Sequence, residues 1–202
     1  MRSLKPIEWG LIVLAVIGLI ALLTIWELSS SYNEGDAAFN RGDFETAVKE
    51  WRPLAEAGDP DYQNRLAQMY ETGKGTTLNA VEAVKWYRQS AEQGFVPGQH
   101  NLARMLQRGE GVAKNYKEAA KLYRQAAEQG YAPAQNGLGA MLYAGLGLTV
   151  SPVEALMWFE IAAAGKHKAA TANRDRAAKS MSAADIEEAK RRARRWLDQH
   201  GD

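Results

Sequence analysis

The residues of this chain that most often perform chemistry are few and widely spaced. The three histidines, His100, His167 and His200, have no metal-ligand spacing, and the chain has no cysteine. No serine is followed three residues later by lysine, and the HExxH and GxSxG patterns are absent. We therefore expect a protein that is not an enzyme, with no catalytic residues, no metal and no cofactor.

Pairs of glycines separated by one residue are the pattern closest to a phosphate-binding loop. They stand at 73 and 75, at 109 and 111, and at 145 and 147. Lys74 is followed by Gly75 rather than by Ser or Thr, so the P-loop pattern fails. Because the pairs recur at one fixed interval, we interpret them as tight turns between helices that need positive φ.

The same interval of 36 residues joins Gly94 to Gly130 and Met105 to Met141. A period of this length is typical of stacked helical units. The predicted fold class is all-α: an α-solenoid of about four helix-turn-helix repeats at 35–181, then a capping helix and tail at 182–202. A transmembrane helix within 1–28 and a linker at 29–34 are expected to precede it.

One helix of each central unit is expected to begin after Asn79, Asn115 or Ser151. A glutamate follows three residues later, at 82, 118 and 154, which is the capping-box pattern. We interpret these glutamates as caps rather than as catalytic acids. Glycines at 58, 94, 130 and 165 are expected to end helices of this kind in left-handed conformations. The interval from Gly130 to Gly165 is 35 residues, which predicts a deletion of one residue in the last unit.

The stretch from Trp9 to Trp26 contains 18 residues without a charge. As a helix it would span roughly 27 Å, close to the ~30 Å core of a bilayer. Its length and flanks favour a retained anchor, with membrane contact over residues 7–26, rather than a cleaved signal peptide. Arg2 and Lys5 precede the span and acidic residues follow it, which predicts a cytoplasmic N-terminus. In a bacterium this is a single-pass inner-membrane protein with a periplasmic repeat domain.

A final helix is predicted from about Ala183 to Gln199, with Ser182 as its N-cap. Ile186, Ala189, Ala193, Trp196 and Leu197 form one apolar stripe, which would cover the open end of the stack. The other face is basic, and we interpret it as a solvated face because Glu187 and Glu188 precede Arg191 and Arg192 by four residues.

The repeated unit reads L-(A/G)-x-M-(Y/L)-x-x-G-x-G, then a variable loop, then E-A-x-x-(W/L)-(Y/F)-R-Q-(S/A)-A-E-Q-G. It resembles the Sel-one-like repeat, a relative of the tetratricopeptide repeat, over about residues 35–181. The resemblance implies an α-solenoid that binds a protein or peptide partner, in many bacterial members within the cell envelope. It also implies that the helix with the L-(A/G)-x-M pattern lines a concave binding face. The polar residues of that face would be Asn64, Gln68, Glu71, His100, Arg104, Gln107, Arg108, Asn136 and Tyr143.

Charge gives no indication of nucleic-acid binding, since the net charge is +1. It is unevenly distributed, however: residues 27–61 carry a net −6 and residues 162–202 a net +4. A self-assembling homo-oligomer with head-to-tail contacts is therefore an alternative to a scaffold that binds another protein. A cell-wall or β-lactam hydrolase is the third alternative, although the chain lacks the cysteines of some relatives linked to β-lactam binding.

Overall fold

The computed structural model describes residues 34–200, and all regular secondary structure in that range is helical. Helix α1 covers residues 34–41. The other nine helices within this range are α2 (Phe44–Glu56), α3 (Pro60–Thr72), α4 (Ala80–Glu92), α5 (Val96–Arg108), α6 (Tyr116–Glu128), α7 (Ala132–Ala144), α8 (Pro152–Ala164), α9 (Lys168–Ala178) and α10 (Ala183–His200).

Helices that follow each other in sequence pack against each other from α2 to α9, so the chain forms a stack of helical pairs. This confirms the predicted all-α solenoid. One layer contains α3, α5, α7 and α9, and we call it the inner layer. The outer layer contains α2, α4, α6 and α8. Along the chain, outer-layer and inner-layer helices therefore alternate. The core between the layers is made of buried alanine, leucine, methionine and aromatic side chains.

The two layers differ in how neighbouring helices are bridged. Inner-layer helices are joined by short asparagine side chains: Asn101 donates to Asn64 at 2.9 Å and Asn173 donates to Asn136 at 2.8 Å. Arg104 and Glu71 also pair between α5 and α3. Outer-layer helices are joined by long side chains: Arg88 pairs with Glu118 at 2.8 Å and Arg124 with Glu154 at 3.0 Å. The backbones of α3 and α5, and of α7 and α9, also approach each other more closely than those of neighbouring outer-layer helices, which is the spacing expected on the concave side of a curved stack.

The repeated glycine pairs form turns with positive φ, as predicted. Gly73, Gly109 and Gly145 end helices in the left-handed conformation. The second glycine of each pair has φ of 68–69° and lies against the first residue of the helix that begins 31 residues earlier. A Cβ atom on Gly111 would lie only 2.2 Å from the carbonyl oxygen of Ala80. These glycines therefore allow close contact between units, which the sequence alone did not indicate.

The predicted capping boxes are only half correct. Asn79 and Asn115 accept hydrogen bonds from the backbone amides three residues later, but the Ser151 side chain makes no such bond. The glutamates do not return to the cap amides, because those amides donate to carbonyls of the preceding helix, as Asn115 does to Leu106 at 3.0 Å. In two of the three units the glutamate carboxylate instead pairs with an arginine of the preceding unit.

The predicted one-residue deletion at Gly165 is wrong. Gly165 has φ of −72°, and Lys166 is the residue with positive φ, at 61°. Lys166 therefore takes the position that Gly130 has in the preceding unit, and the 36-residue period continues into α9. The sequence concealed this helix because a lysine replaces the glycine and alanines replace the larger apolar residues.

The capping helix is confirmed as α10. Ser182 Oγ accepts from the backbone amide of Asp185 at 3.1 Å, and Ala189 and Ala193 are buried. Trp196 packs edge-on against Trp158 of α8 with ring centroids 5.8 Å apart. The ion pairs differ in part from the prediction, since Glu188 pairs with both Arg191 and Arg192, whereas Glu187 pairs with Lys190.

The predicted membrane span at 7–26 lies outside the described residues. Within residues 34–200, no helix combines the length and the apolar character needed to cross a bilayer. Residue 34 already belongs to α1, so the solenoid includes the last residue that we assigned to the linker.

Replacing Gly111 by alanine should destabilise the stack strongly. The new Cβ would meet the carbonyl of Ala80 in addition to the strain of positive φ. We expect urea unfolding to show a loss of about 3 kcal/mol, of which ~1–2 kcal/mol comes from φ and the rest from the clash.

Gly130→Ala is the matched control. Gly130 also has positive φ, at 84°, but a Cβ there would have nothing within 4 Å. We expect this variant to lose only about 1 kcal/mol. Equal losses for the two variants would show that contact between units does not depend on the second glycine.

Candidate functional site

The nine residues of the predicted binding face all lie on three consecutive helices of the inner layer. Asn64, Gln68 and Glu71 are on α3, the next four are on α5, and Asn136 and Tyr143 are on α7. Gln68, Arg108 and Tyr143 are exposed, whereas Asn64 is only 4 % exposed. The face is therefore composed partly of side chains that contact solvent and partly of side chains that hold neighbouring helices together.

Asn64 and Asn136 belong to the second group, since each accepts a hydrogen bond from an asparagine 37 residues later. The donors, Asn101 and Asn173, are half-buried and were not among the predicted site residues. Each of them donates through Nδ2 and makes no hydrogen bond through Oδ1 within residues 34–200. Each donor stands 37 residues after its acceptor, which is one residue more than the repeat length. This pairing of asparagines is the sequence signal that would have found them.

Glu71 is the centre of a hydrogen-bonded group that joins three helices. Its Oε2 atom accepts from the Tyr87 hydroxyl at 2.7 Å and from Arg104 at 2.6 Å. Burial, together with the hydrogen bond to Glu71, raises the pKa of Tyr87. The Arg104 side chain is only 20 % exposed and its charge is balanced by Glu71. Arg104 thus positions α5 against α3, and little of its guanidinium is left for a partner.

The asparagine bridge is replaced at the centre of the inner layer. His100 is at the repeat position of the acceptors Asn64 and Asn136. Gly137 is at the repeat position of the donors Asn101 and Asn173. A Cβ atom on Gly137 would lie 2.7 Å from the Tyr123 ring, so glycine allows this ring to pack against α7. The His100 ring contacts Tyr123, with centroids 5.6 Å apart, and the Tyr123 hydroxyl donates to Gln107 at 3.1 Å.

His100 is neutral at physiological pH. Burial lowers its pKa to about 4, with smaller contributions from the charges of Arg104 and His167. Its Nδ1 atom is buried and makes no hydrogen bond to any residue in 34–200. The second ring contact is with Tyr131, at 5.4 Å between centroids. We conclude that His100 is a packing residue of an aromatic cluster.

A cleft of about 230 Å³ lies where the inner layer begins. It is lined by Phe39, Trp51, Asn64, Gln68 and Met69, together with Asp61 and Arg65. Arg65 is held by Asp61 at 2.8 Å and Asp36 at 3.2 Å, so this wall is fixed. The exposed inner-layer side chains therefore continue into a partly aromatic depression at the N-terminal end.

The exposed polar side chains of the predicted face can make hydrogen bonds to another molecule. Within the described part of the chain, no three histidine, aspartate or glutamate side chains are grouped to hold a metal ion. The exposed groups are an amide at Gln68, a guanidinium at Arg108 and a phenol at Tyr143, one on each helix.

Comparison with protein families identifies these units. The Sel1 repeat model matches residues 60–95, 96–131 and 132–167, which together cover more than half of the chain. The protein belongs to the Sel1 repeat family. The matched units begin with the inner-layer helix, and they leave 35–59 and 168–181 of our predicted solenoid outside the match. Proteins with Sel1 repeats generally act as non-enzymatic scaffolds for protein interaction.

Two solved structures support the same assignment. A Sel1 repeat protein from Oxalobacter formigenes is 34% identical, with a TM-score of 0.65, over 69% of this chain and 58% of that one. The protein c5321, a protective antigen of uropathogenic Escherichia coli strains with an SLR fold, is 28% identical, with a TM-score of 0.58, over 77% of this chain and 41% of that one. The chain thus spans about half the length of these relatives. No functionally curated protein matches it.

The lowered pKa of His100 predicts a loss of stability in mild acid. The unfolded chain binds a proton near pH 6.5 and the folded chain only near pH 4, so protonation favours unfolding as the pH falls through this window. Between pH 7 and pH 5 we expect His100 to cost about 2 kcal/mol of unfolding free energy.

His100→Asn isolates this contribution, because asparagine is the residue at the equivalent positions 64 and 136. Urea unfolding of both proteins at several pH values measures the difference. The wild type should lose about 2 kcal/mol more than the variant over the same interval. Parallel pH profiles would show that His100 is not buried in the neutral form.

Proposed function

We propose that this protein is a membrane-anchored adaptor of the bacterial envelope, whose inner layer binds a protein or peptide partner on the periplasmic side. The Sel1 repeat family supports the first element, since its members generally mediate contacts between proteins. The observation that carries the choice of surface is the row of exposed Gln68, Arg108 and Tyr143 on three successive inner-layer helices.

The hydrogen-bonding groups of the inner layer suit an extended peptide. A peptide backbone presents alternating N–H and C=O groups and gains affinity where both find partners. Asn101 and Asn173 each have an unused Oδ1 acceptor, and Gln68 provides both a donor and an acceptor. The three side chains lie on α3, α5 and α9, which spreads these contacts along most of the stack.

The proposed location depends on the segment before the solenoid. Its uncharged stretch is long enough to cross a bilayer, and its basic residues lie on the N-terminal side. An anchor there would place α1 within a few residues of the membrane and leave the stack beside it. A partner would then be recruited to the membrane surface without any chemical change.

The two alternative functions, self-assembly and hydrolysis, differ in how much the structure supports them. Self-assembly is favoured by the opposite charges of the two ends of the stack, a net −5 over residues 34–61 and a net +5 over residues 166–200. Nothing in residues 34–200 favours a cell-wall or β-lactam hydrolase, since Glu118 and Glu154 are paired with arginines and Glu82 with Lys85.

Site-specific photo-crosslinking in cells tests which surface binds. A photoreactive phenylalanine analogue is placed at Gln68, Arg108 or Tyr143, each of which is exposed and outside the buried bridges. We expect all three positions to yield the same cross-linked partner after membrane purification, because one extended partner would contact α3, α5 and α7 together.

Matched controls use the exposed outer-layer residues Lys85, Lys121 and Gln125. These positions should give no cross-link to that partner. Cross-links from the outer layer alone would assign binding to the other face, and cross-links from neither layer would contradict the adaptor function.

Topology is tested by reporters fused after Asp202. Alkaline phosphatase is active only outside the cytoplasm, whereas green fluorescent protein exported through the general secretory route is not fluorescent. The proposal predicts phosphatase activity without fluorescence. Fluorescence with inactive phosphatase would place the solenoid in the cytoplasm.

A further inference from the structure

The two ends of the described stack carry opposite charge. Residues 34–61, from α1 to the start of α3, contain eight acidic and three basic side chains, a net −5. Residues 166–200, which include α9 and α10, contain ten basic and five acidic side chains, a net +5. Residues 62–165 between them have a net charge of only +2.

The charges in the middle of the stack are largely engaged with each other. Arg104 pairs with Glu71, and the outer-layer pairs Arg88–Glu118 and Arg124–Glu154 bridge successive units. Most charged side chains of this section are therefore engaged within the molecule, although some exposed ones, such as Lys117 and Lys121, have no ion pair within residues 34–200.

The charges at the ends are available. At the N-terminal end the exposed carboxylates of Asp43, Glu45 and Glu56 have no ion pair with any residue in 34–200. Hydrogen bonding to Thr46 lowers the pKa of Asp43, so this group is ionised at neutral pH. At the C-terminal end six exposed cations within the described range have no ion pair, namely Lys166, Lys168, Arg176, Lys179, Arg194 and Arg195.

Each end also has an apolar feature. Phe39 of α1 is 37% exposed although most large apolar side chains of the described range are buried. Between α8 and α10 lies a cleft of about 220 Å³, with Ala164, Ala193 and Leu197 as its apolar lining. Its polar lining is Lys190, Arg194 and Glu160. A heterologous contact between an exposed apolar residue and a cleft elsewhere on the same molecule generates open chains of copies.

From this complementarity we propose that copies of this chain associate end to end, with the acidic α1–α2 end of one copy against the basic α9–α10 end of the next. The occupant of the basic end is therefore a second copy rather than nucleic acid or lipid. Because the two surfaces differ, the contact is heterologous and does not close into a two-fold dimer. Arg108 and Tyr143 on α5 and α7 are not part of the two contact surfaces, so several copies of this part of the inner layer would be arranged in a row, whereas the cleft lined by Phe39 would be covered.

The test is sedimentation velocity of the full-length protein in a non-ionic detergent at 20 mM and 500 mM NaCl. The screening length falls from about 20 Å to about 4 Å over this range, so a contact between exposed charges should weaken at least about tenfold. We expect oligomers of increasing size with concentration at low salt, and monomers at high salt.

Charge-reversal variants locate the contact. Asp43→Lys with Glu45→Lys makes the N-terminal end basic, and Arg194→Glu with Arg195→Glu makes the C-terminal end acidic. Each double variant alone should remain monomeric at 20 mM NaCl. A 1:1 mixture of the two should associate again, because each reversed end then meets a complementary end of the other variant. Lys117→Glu with Lys121→Glu on α6 changes the same number of charges mid-stack and should still associate.

The proposal is overturned by monomers at both salt concentrations, by oligomers that resist 500 mM NaCl and survive both reversals, or by a mixture that stays monomeric. The last outcome excludes a contact between these two ends even if each reversal abolishes association. None of these results bears on the inner layer, so the adaptor function would be judged separately by cross-linking. Association that appears only on addition of anionic vesicles or of DNA would likewise assign the basic end to those ligands and overturn it.

Discussion

The fold depends on the close approach of each glycine turn to the first residue of an earlier helix. Gly75, Gly111 and Gly147 meet the backbone of Phe44, Ala80 and Tyr116 at distances that exclude any side chain. This contact fixes the separation of successive units, and the asparagine bridges and the arginine–glutamate pairs then have lengths that match it. A solenoid has few contacts beyond neighbouring units, so a constraint repeated at every junction determines the shape of the whole stack.

Most of the architecture could be predicted because the same residues recur at one interval. The helices, the positive-φ turns and the capping helix could be predicted from residues that are close together in the sequence. The errors occurred where a residue acts on another unit. The glutamate at 118 fits a local cap, and only the fold reveals that Arg88, 30 residues earlier, is its partner. Lys166 in a left-handed position likewise hid the last repeat, since the pattern expects glycine there.

The nine residues predicted for the binding face all lie on inner-layer helices, but they do not share one role. The fold uses Asn64, Glu71, Arg104 and Asn136 to join helices, which the sequence could not separate from surface exposure. Asn101 was missed because its meaning comes from Asn64 on the adjacent helix. A repeat surface therefore contains two interleaved sets of polar residues, and only burial and hydrogen bonding tell them apart. The exposed set is what remains for a partner.

The account leads to a scaffold in which rigid stacking leaves one surface available for contact. Hydrogen–deuterium exchange on the complex with the cross-linked partner, compared with the free protein, tests this most directly. The account predicts slower exchange in the inner-layer helices α3, α5, α7 and α9 and unchanged exchange in α4, α6 and α8. Slower exchange confined to the outer-layer helices would contradict it.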